Sequence, residues 1–140
     1  MIITAEQNKK IKDIAKKYNI KIITVFGSQI KGKTHKNSDL DIGILLNQNP
    51  KSFQALLAAQ SDLEKVFGNY KLDVRYLNSA KPFFLFEAVY KGELLYGTTY
   101  EYAKFCAKAF KQYIDAKPLR DLRDEMIRKR QIKLLNKNYA

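Results

Sequence analysis

The sequence contains one cysteine, Cys106, and one histidine, His35, among 140 residues. A lone cysteine cannot form a disulfide within the chain, and a structural zinc site needs a cluster of cysteine and histidine side chains. The sequence therefore excludes a disulfide-stabilised scaffold and a Cys/His metal centre. A chain that relies on neither agrees with a reducing compartment, and we expect a cytoplasmic protein.

Long hydrophobic runs are also absent. No apolar stretch approaches the roughly 18 residues that a transmembrane helix needs, and the first residues, MIITAEQNKK, lack the apolar centre of a secretion signal. We therefore expect neither a membrane span nor export. With 140 residues the chain is expected to form one domain, with room for a short appendage.

Acidic residues are scarce, because 14 Asp and Glu stand against 26 Lys and Arg and give a net charge of +12. An excess of this size permits binding to nucleic acid or to another acidic or phosphate-bearing partner. The basic residues are spread along the whole chain, however, and a lysine-rich solvated surface also explains that distribution. Charge alone leaves both interpretations open.

Hydrophobic periodicity predicts that helices and strands alternate along the chain. The predicted helices cover residues 5–18, 50–67, 82–91, 98 to a break at Pro118, and 120–135; the predicted strands cover 20–26, 39–46, 71–77 and 93–96. In the second helix the inward positions are expected to be Phe53, Leu56, Leu57, Leu63 and Val66. The predicted fold is α/β (α+β), with a small mixed sheet flanked by helices over residues 1–97 and a C-terminal helical extension over 98–140.

The segment GSQIKGKT, residues 27–34, fits the phosphate-binding pattern G-x-x-x-x-G-K-[ST]. In a P-loop protein this pattern opens a long helix, with Lys33 at the phosphates and Thr34 at Mg²⁺. Here only residues 33–38 precede the strand predicted to begin at Asp39. That helix has no room, so the sequence argues against a P-loop.

A different arrangement of the same segment fits its surroundings. In it, Gly27 and Ser28 are predicted to form a sharp turn out of the first strand, and a short helix is expected to follow. The free N–H groups at the start of such a helix suit a triphosphate. Lys31 and Lys33 are candidates for further phosphate contacts.

Three aspartates are candidate metal ligands. Asp39 and Asp41 are alternate residues of one predicted strand, so they share a face, and two close carboxylates repel unless a cation lies between them. Mg²⁺ is typical of such a site, since it binds one or two carboxylates together with substrate phosphates. Asp73 lies in the next strand and completes the cluster if that strand pairs with the second; alternatively it forms an ion pair with Arg75.

Three carboxylates beside a phosphate-binding turn indicate nucleotidyl transfer with two Mg²⁺ ions. In this interpretation Asp39 and Asp41 hold one ion with the triphosphate, and Asp73 shares the second. Asp73 can also act as general base for the incoming hydroxyl group.

The pattern G-S, ten residues, then D-x-D, formed by Gly27, Ser28, Asp39 and Asp41, resembles the signature of the DNA polymerase β-like nucleotidyltransferase superfamily. The loop is most similar to that of the minimal nucleotidyltransferases, G-S-x-A-R-G-x-A-R-x-x-S-D-x-D. Lys31 and His35 stand at its two arginine positions, and Ser38 precedes the first aspartate of the motif. Ile30 and Thr34 replace the usual alanines.

The chain also resembles the MntA-type antitoxins of HEPN–MNT toxin–antitoxin modules. The resemblance implies transfer of AMP from ATP to a tyrosine of a HEPN ribonuclease toxin, which silences the toxin. It implies Mg²⁺ as cofactor, Gly27, Ser28, Lys31, Lys33 and Ser38 as nucleotide-binding residues, and a hetero-oligomer with the toxin. The extension over 98–140 would pack on the core, dock the toxin, or do both.

Three other functions remain open at this point. The chain could neutralise a toxin by occlusion without catalysis, or transfer a nucleotide to a small hydroxylated compound, although relatives of that kind usually carry a larger second domain. Its charge also permits direct nucleic-acid binding, although enzymes of this superfamily that act on nucleic acid carry additional domains to hold it.

Overall fold

A computed structural model describes residues 3–26, 39–50, 52–68 and 70–139. The elements in chain order are α1 (Ala5–Lys17), β1 (Ile20–Phe26), β2 (Asp39–Leu46), α2 (Phe53–Val66), β3 (Lys71–Tyr76), α3 (Pro82–Val89), β4 (Glu93–Tyr96), α4 (Thr99–Asp115) and α5 (Lys117–Tyr139). The predicted bounds of β1, β2 and β4 are confirmed. Within the described ranges, no helix combines enough length with enough hydrophobicity to cross a membrane.

The four strands form one mixed sheet in the order β3-β2-β1-β4. β1 pairs antiparallel with β2 and with β4, whereas β2 and β3 are parallel. Two parallel neighbours need a crossover connection, and α2 provides it. The mixed sheet with flanking helices that the sequence predicts is therefore confirmed.

Helices cover both faces of the sheet, because alternate strand residues point to opposite sides. In β2, Leu40, Ile42 and Ile44 pack into a core under α1 and α2. The intervening positions face α3 and α4, where a second core is formed by Ile22, Leu45, Leu77, Leu85, Ala88, Val89 and Ala109. Asp41 thus lies on the α3–α4 side of the sheet.

The first helix begins as the sequence suggests, but the second begins later than predicted. Thr4 and Gln7 form a reciprocal capping box at α1. At α2 the hydroxyl of Ser52 accepts a hydrogen bond from the Ala55 N–H at 3.2 Å, so the helix starts at Phe53 rather than at Pro50.

Two side chains expected in the core lie on the surface of α2. Phe53 is 72% exposed and Leu57 is 49% exposed, whereas Leu63 is fully buried. Neighbouring helix residues lie about 100° apart, so a stripe that contains Leu56 and Leu63 turns Leu57 away from the sheet. The prediction that Phe53 and Leu57 face the core was wrong.

The two C-terminal helices differ in how they pack. α4 buries Ala109, and Tyr102 and Phe105 pack against the second core. α5 begins directly after Ala116, with Pro118 in its first turn, where the missing N–H does no harm. The described side chains of α5 are exposed apart from a half-buried Arg120.

Candidate active site

The predicted site divides into a described and an undescribed part. The nucleotide-binding candidates, which are Gly27, Ser28, Lys31, Lys33 and Ser38, lie outside the described residues, as does His35. The three aspartates lie in described strands, although the side chain of Asp39 is outside the described part. The geometry of the site is therefore built from β2 and β3.

The parallel register of β2 and β3 places Asp41 directly opposite Asp73. Residues opposite each other in neighbouring strands project to the same side of the sheet. The pairing of the third strand with the second, on which the three-carboxylate prediction depended, is thus observed. Asp39 begins β2 and is opposite Lys71.

Asp73 also forms the ion pair that the sequence left open. Its Oδ1 lies 3.4 Å from the Nε of Arg75, two residues further along β3. The side chains are 46% and 59% exposed, so water screens the attraction and the pair adds little stability by itself. In this contact one oxygen of the Asp73 carboxylate is turned towards Arg75.

Aromatic rings support this ion pair from α3 and β1. The Arg75 guanidinium lies 5.8 Å from the centroid of the Phe84 ring, within cation–π range. Phe84 in turn meets Phe26 edge to face, with centroids 5.6 Å apart. Phe26 is the residue of β1 opposite Asp41. Arg75, Phe84 and Phe26 thus link the two aspartate positions along the α3 side of the sheet.

A glycine lies next to the aspartates for a steric reason. Gly43 is opposite Thr24 in β1 and Arg75 in β3. A Cβ at this position would lie 2.8 Å from the Thr24 hydroxyl oxygen and 3.1 Å from a methyl carbon of Leu77. The Thr24 hydroxyl is buried and has no hydrogen-bond partner among the described residues. A side chain at residue 43 would therefore disturb the sheet two residues from Asp41.

The residues present fit a magnesium ion. Two carboxylates on one face, together with phosphate oxygens of a bound nucleotide, are a donor set that Mg²⁺ accepts. Among the side chains described, no group of three His, Cys, Asp or Glu is close enough to hold a metal by itself. Asp39 is the predicted third ligand, and its side chain lies outside the described part.

Sequence reasoning found the aspartates but missed their surroundings. Nothing in the spacing of Phe84 and Phe26 indicated that Phe84 contacts Arg75 or that the two rings meet. The tight packing around Gly43 had one signal in the sequence, its position inside a predicted strand. A glycine there often marks the close approach of a neighbouring group. These contacts arise where α3 folds over the sheet.

The start of β2 at Asp39 supports the rejection of the P-loop. At most six residues, 33–38, separate Gly32 from this strand. Three turns of helix need about 11 residues. This segment is therefore too short for the long helix that a P-loop requires.

Comparison with known proteins gives a family and a set of similar folds. The family model described as "Polymerase beta, Nucleotidyltransferase" matches residues 9–101. No curated protein sequence matches the chain.

Three solved structures have similar folds, and the match covers nearly the whole length of each matched chain. A toxin–antitoxin structure with AMP-PNP is 24% identical, with a TM-score of 0.73 over 86% of this chain and 97% of the other. A toxin–antitoxin MntA–HepT structure is 21% identical, with a TM-score of 0.69 over 89% and 98%. A structure of a tri-AMPylated Shewanella oneidensis HEPN toxin in complex with MNT antitoxin is 21% identical. Its TM-score is 0.69 over 87% of this chain and 96% of the other. At these identities the likeness establishes the fold.

Proposed function

This chain belongs to the polymerase β nucleotidyltransferase family, and we propose that it is a cytoplasmic antitoxin that transfers AMP from ATP to a tyrosine of a HEPN ribonuclease toxin. Asp41 opposite Asp73 is the observation that carries the proposal, because two carboxylates on one face of the sheet suit a metal-dependent transfer. The similar folds support it, since one is a toxin–antitoxin structure with AMP-PNP and another contains a tri-AMPylated HEPN toxin.

The proposed reaction is an in-line displacement at the α-phosphorus of ATP. The acceptor oxygen forms a bond to that phosphorus as the bond to the β-phosphate oxygen breaks. Pyrophosphate leaves with the electron pair, and the proton of the acceptor hydroxyl goes to a base. The products are an AMP ester of the toxin tyrosine and pyrophosphate.

In this mechanism the chain binds both reactants and accepts a proton. Asp73 is the proposed base, and its ion pair with Arg75 leaves the other carboxylate oxygen for the hydroxyl. Asp39 and Asp41 are proposed to hold metal beside the triphosphate. The nucleotide-binding turn is proposed to comprise Gly27, Ser28, Lys31, Lys33 and Ser38.

Two Mg²⁺ ions, when bound, would neutralise phosphate charge and make the acceptor hydroxyl more acidic. The proposed ligands are Asp39, Asp41 and Asp73. Residues 1–97 are the proposed catalytic core, and residues 98–140 the extension that packs on it or docks the toxin. We propose that the acceptor reaches this core by docking of the toxin.

The test is transfer of label from α-³²P-ATP to the product of the adjoining gene in the presence of Mg²⁺. We expect Asp41→Asn and Asp73→Asn to reduce the transfer rate about 100-fold or more, because each removes a charge that the reaction uses. The matched control is Glu93→Gln in β4, an exposed carboxylate at the other edge of the same sheet. That variant should transfer label at the normal rate.

The alternatives give different results in the same assay. Toxin neutralisation that survives Asp39→Ala/Asp41→Ala without labelling would indicate occlusion. Labelling of small hydroxylated compounds but not of the protein would indicate a small-molecule transferase. RNA binding that weakens steeply with salt and ignores the aspartate substitutions would indicate a nucleic-acid-binding protein.

A further inference from the structure

The helix α5 is long and exposed on all sides. It contains 23 residues, and none of its described side chains is buried. Most helical stability in proteins comes from packing an apolar face against other elements. A helix of this length that packs chiefly at its junction with α4 is typical of a segment that binds a partner.

Four apolar residues of α5 lie on one side, and we call them the docking stripe: Leu119, Leu122, Met126 and Ile127. Their spacing of three, four and one places them along about two turns of helix. Together with Arg123 and Arg130 they line a shallow groove of about 390 Å³. The groove is therefore aliphatic along its length, with two guanidinium groups on it.

Some charged side chains of α5 form ion pairs within the helix and others do not. Asp121 and Glu125 pair with lysines one turn away on the same helix, Lys117 at 3.0 Å and Lys129 at 3.2 Å. Arg130 has no ion pair among the described residues, and Arg123 has only a 3.7 Å contact with neighbouring Asp124. The arginines of the groove are thus available for carboxylates from outside the helix.

We infer that the docking stripe binds the toxin of the proposed function and fits an apolar groove of the toxin that is bordered by carboxylates. The identity of the partner rests on the proposed function. Four aliphatic side chains between 49% and 71% exposed favour a protein partner, because an apolar protein surface buries a continuous aliphatic stripe better than a phosphate backbone does. A second copy of α5 fits poorly, since an antiparallel pair centred on the stripe would place Arg123 opposite Arg123 of the copy.

Two matched pairs of variants test the stripe in the full-length chain. Ile127→Asp is compared with Ile132→Asp, since both isoleucines are about half exposed, at 49% and 51%. Five residues along a helix turn the side chain by about 140°, so Ile132 lies away from the stripe. Arg130→Glu is compared with Arg128→Glu, because the Arg128 side chain lies about 160° around the helix axis from that of Arg130.

The measurement is affinity for the product of the adjoining gene, by calorimetry. We expect Ile127→Asp and Arg130→Glu to weaken binding about tenfold or more, and the two controls to change it less than about twofold. Circular dichroism of each variant reports whether α5 stays helical. Normal binding by both stripe variants would overturn the inference.

Other occupants give recognisable outcomes that also overturn it. Dissociation of a dimer by Ile127→Asp, with partner affinity unchanged, would assign the stripe to self-association. RNA binding lost equally in Arg128→Glu and Arg130→Glu would assign the helix to nucleic acid.

Failure of this inference can be told from failure of the proposed function. If wild type binds through the stripe but transfers no AMP, the docking surface stands and the transferase proposal falls. If AMP transfer proceeds and the stripe variants bind normally, only the docking surface is wrong.

Discussion

At the scale of single residues, Asp73 has two neighbours that bear on its proposed role. It forms an ion pair with Arg75 and also lies opposite Asp41. A carboxylate that serves as base or metal ligand needs a fixed orientation, and neighbours that hold it are as much part of a site as the ligand. Arg75, braced by Phe84, is the residue that can fix Asp73.

We expect Arg75→Ala to lower the maximal rate of AMP transfer about tenfold, because Asp73 loses the partner that orients it. The Mg²⁺ concentration for half-maximal rate should fall at the same time, since a competing positive charge beside the carboxylate is removed. Measuring the rate against Mg²⁺ concentration separates the two effects.

Phe84→Leu is the companion variant, since it keeps an apolar side chain but removes the ring beneath the guanidinium. An intermediate loss of rate is expected. An unchanged rate and Mg²⁺ dependence in Arg75→Ala would show that the ion pair has no part in positioning Asp73.

The aspartates of the candidate site could be predicted from the sequence, but the aromatic residue that contacts Arg75 could not. Asp41 and Asp73 stand out because an acid between apolar strand residues is unusual. Phe84 does not, because its contact with Arg75 depends on how α3 crosses the sheet. No local pattern encodes that crossing.

At the scale of elements, the strands were easier to predict than the helix ends. β1, with the sequence IKIITVF, is too rich in β-branched residues to favour a helix. The start of α2 depended on a choice between Pro50 and Ser52, and the capping hydroxyl of Ser52 decided it. The parallel pairing of β2 with β3 could only be stated as a condition, because strand order is set by packing of the whole chain.

The side chain of Tyr102 links α4 to the end of α3 and to the residue before β4. The hydroxyl of Tyr102 donates to the carbonyl of Val89, at the end of α3, and lies 3.2 Å from that of Gly92, before β4. Burial raises the pKa of Tyr102 from 10.0 to about 12. The protonated phenol is therefore favoured in the folded state.

Tyr102→Phe should lower the free energy of unfolding at neutral pH by about 1–2 kcal/mol, because the buried carbonyls lose a donor. The pH dependence follows from the raised pKa. Tyr102 contributes stability below pH about 10, where the unfolded phenol is protonated, and loses it as pH rises towards about 12. The variant should lose less stability than wild type in that interval, as measured by urea unfolding.

The neighbouring Tyr100 is the control, since it lies in the same helix and is 73% exposed. Tyr100→Phe should match wild type in both stability and pH dependence. Equal alkaline losses in wild type and Tyr102→Phe would mean that the phenol is not held protonated by the fold.

At the scale of the whole molecule, charge and burial are distributed differently. The net charge of +12 belongs to the entire chain, whereas Ala109 is the last buried residue among those that the structure describes. Composition could indicate an acidic partner but not where it binds. The exposed stripe of α5 locates a surface for it, and the same surface contributes little to the core.

Removal of residues 117–140 should therefore leave the fold intact. The expected change in the free energy of unfolding is within about 1–2 kcal/mol, the size of the lost Arg120 contacts with Tyr113. Those contacts are a guanidinium stacked 3.8 Å from the ring centroid and a 2.7 Å hydrogen bond to the carbonyl. Urea unfolding of the full chain and of residues 1–116 measures the difference.

A second truncation, after Gly97, tests the predicted division between core and extension. It removes α4, including the buried Ala109 and the Tyr102 hydroxyl, and uncovers the apolar side of α3. Because that apolar surface becomes exposed, we expect residues 1–97 to unfold at a much lower urea concentration than residues 1–116. Equal midpoints for the two fragments would show that the core ends at residue 97 and that α4, like α5, is free to serve the partner.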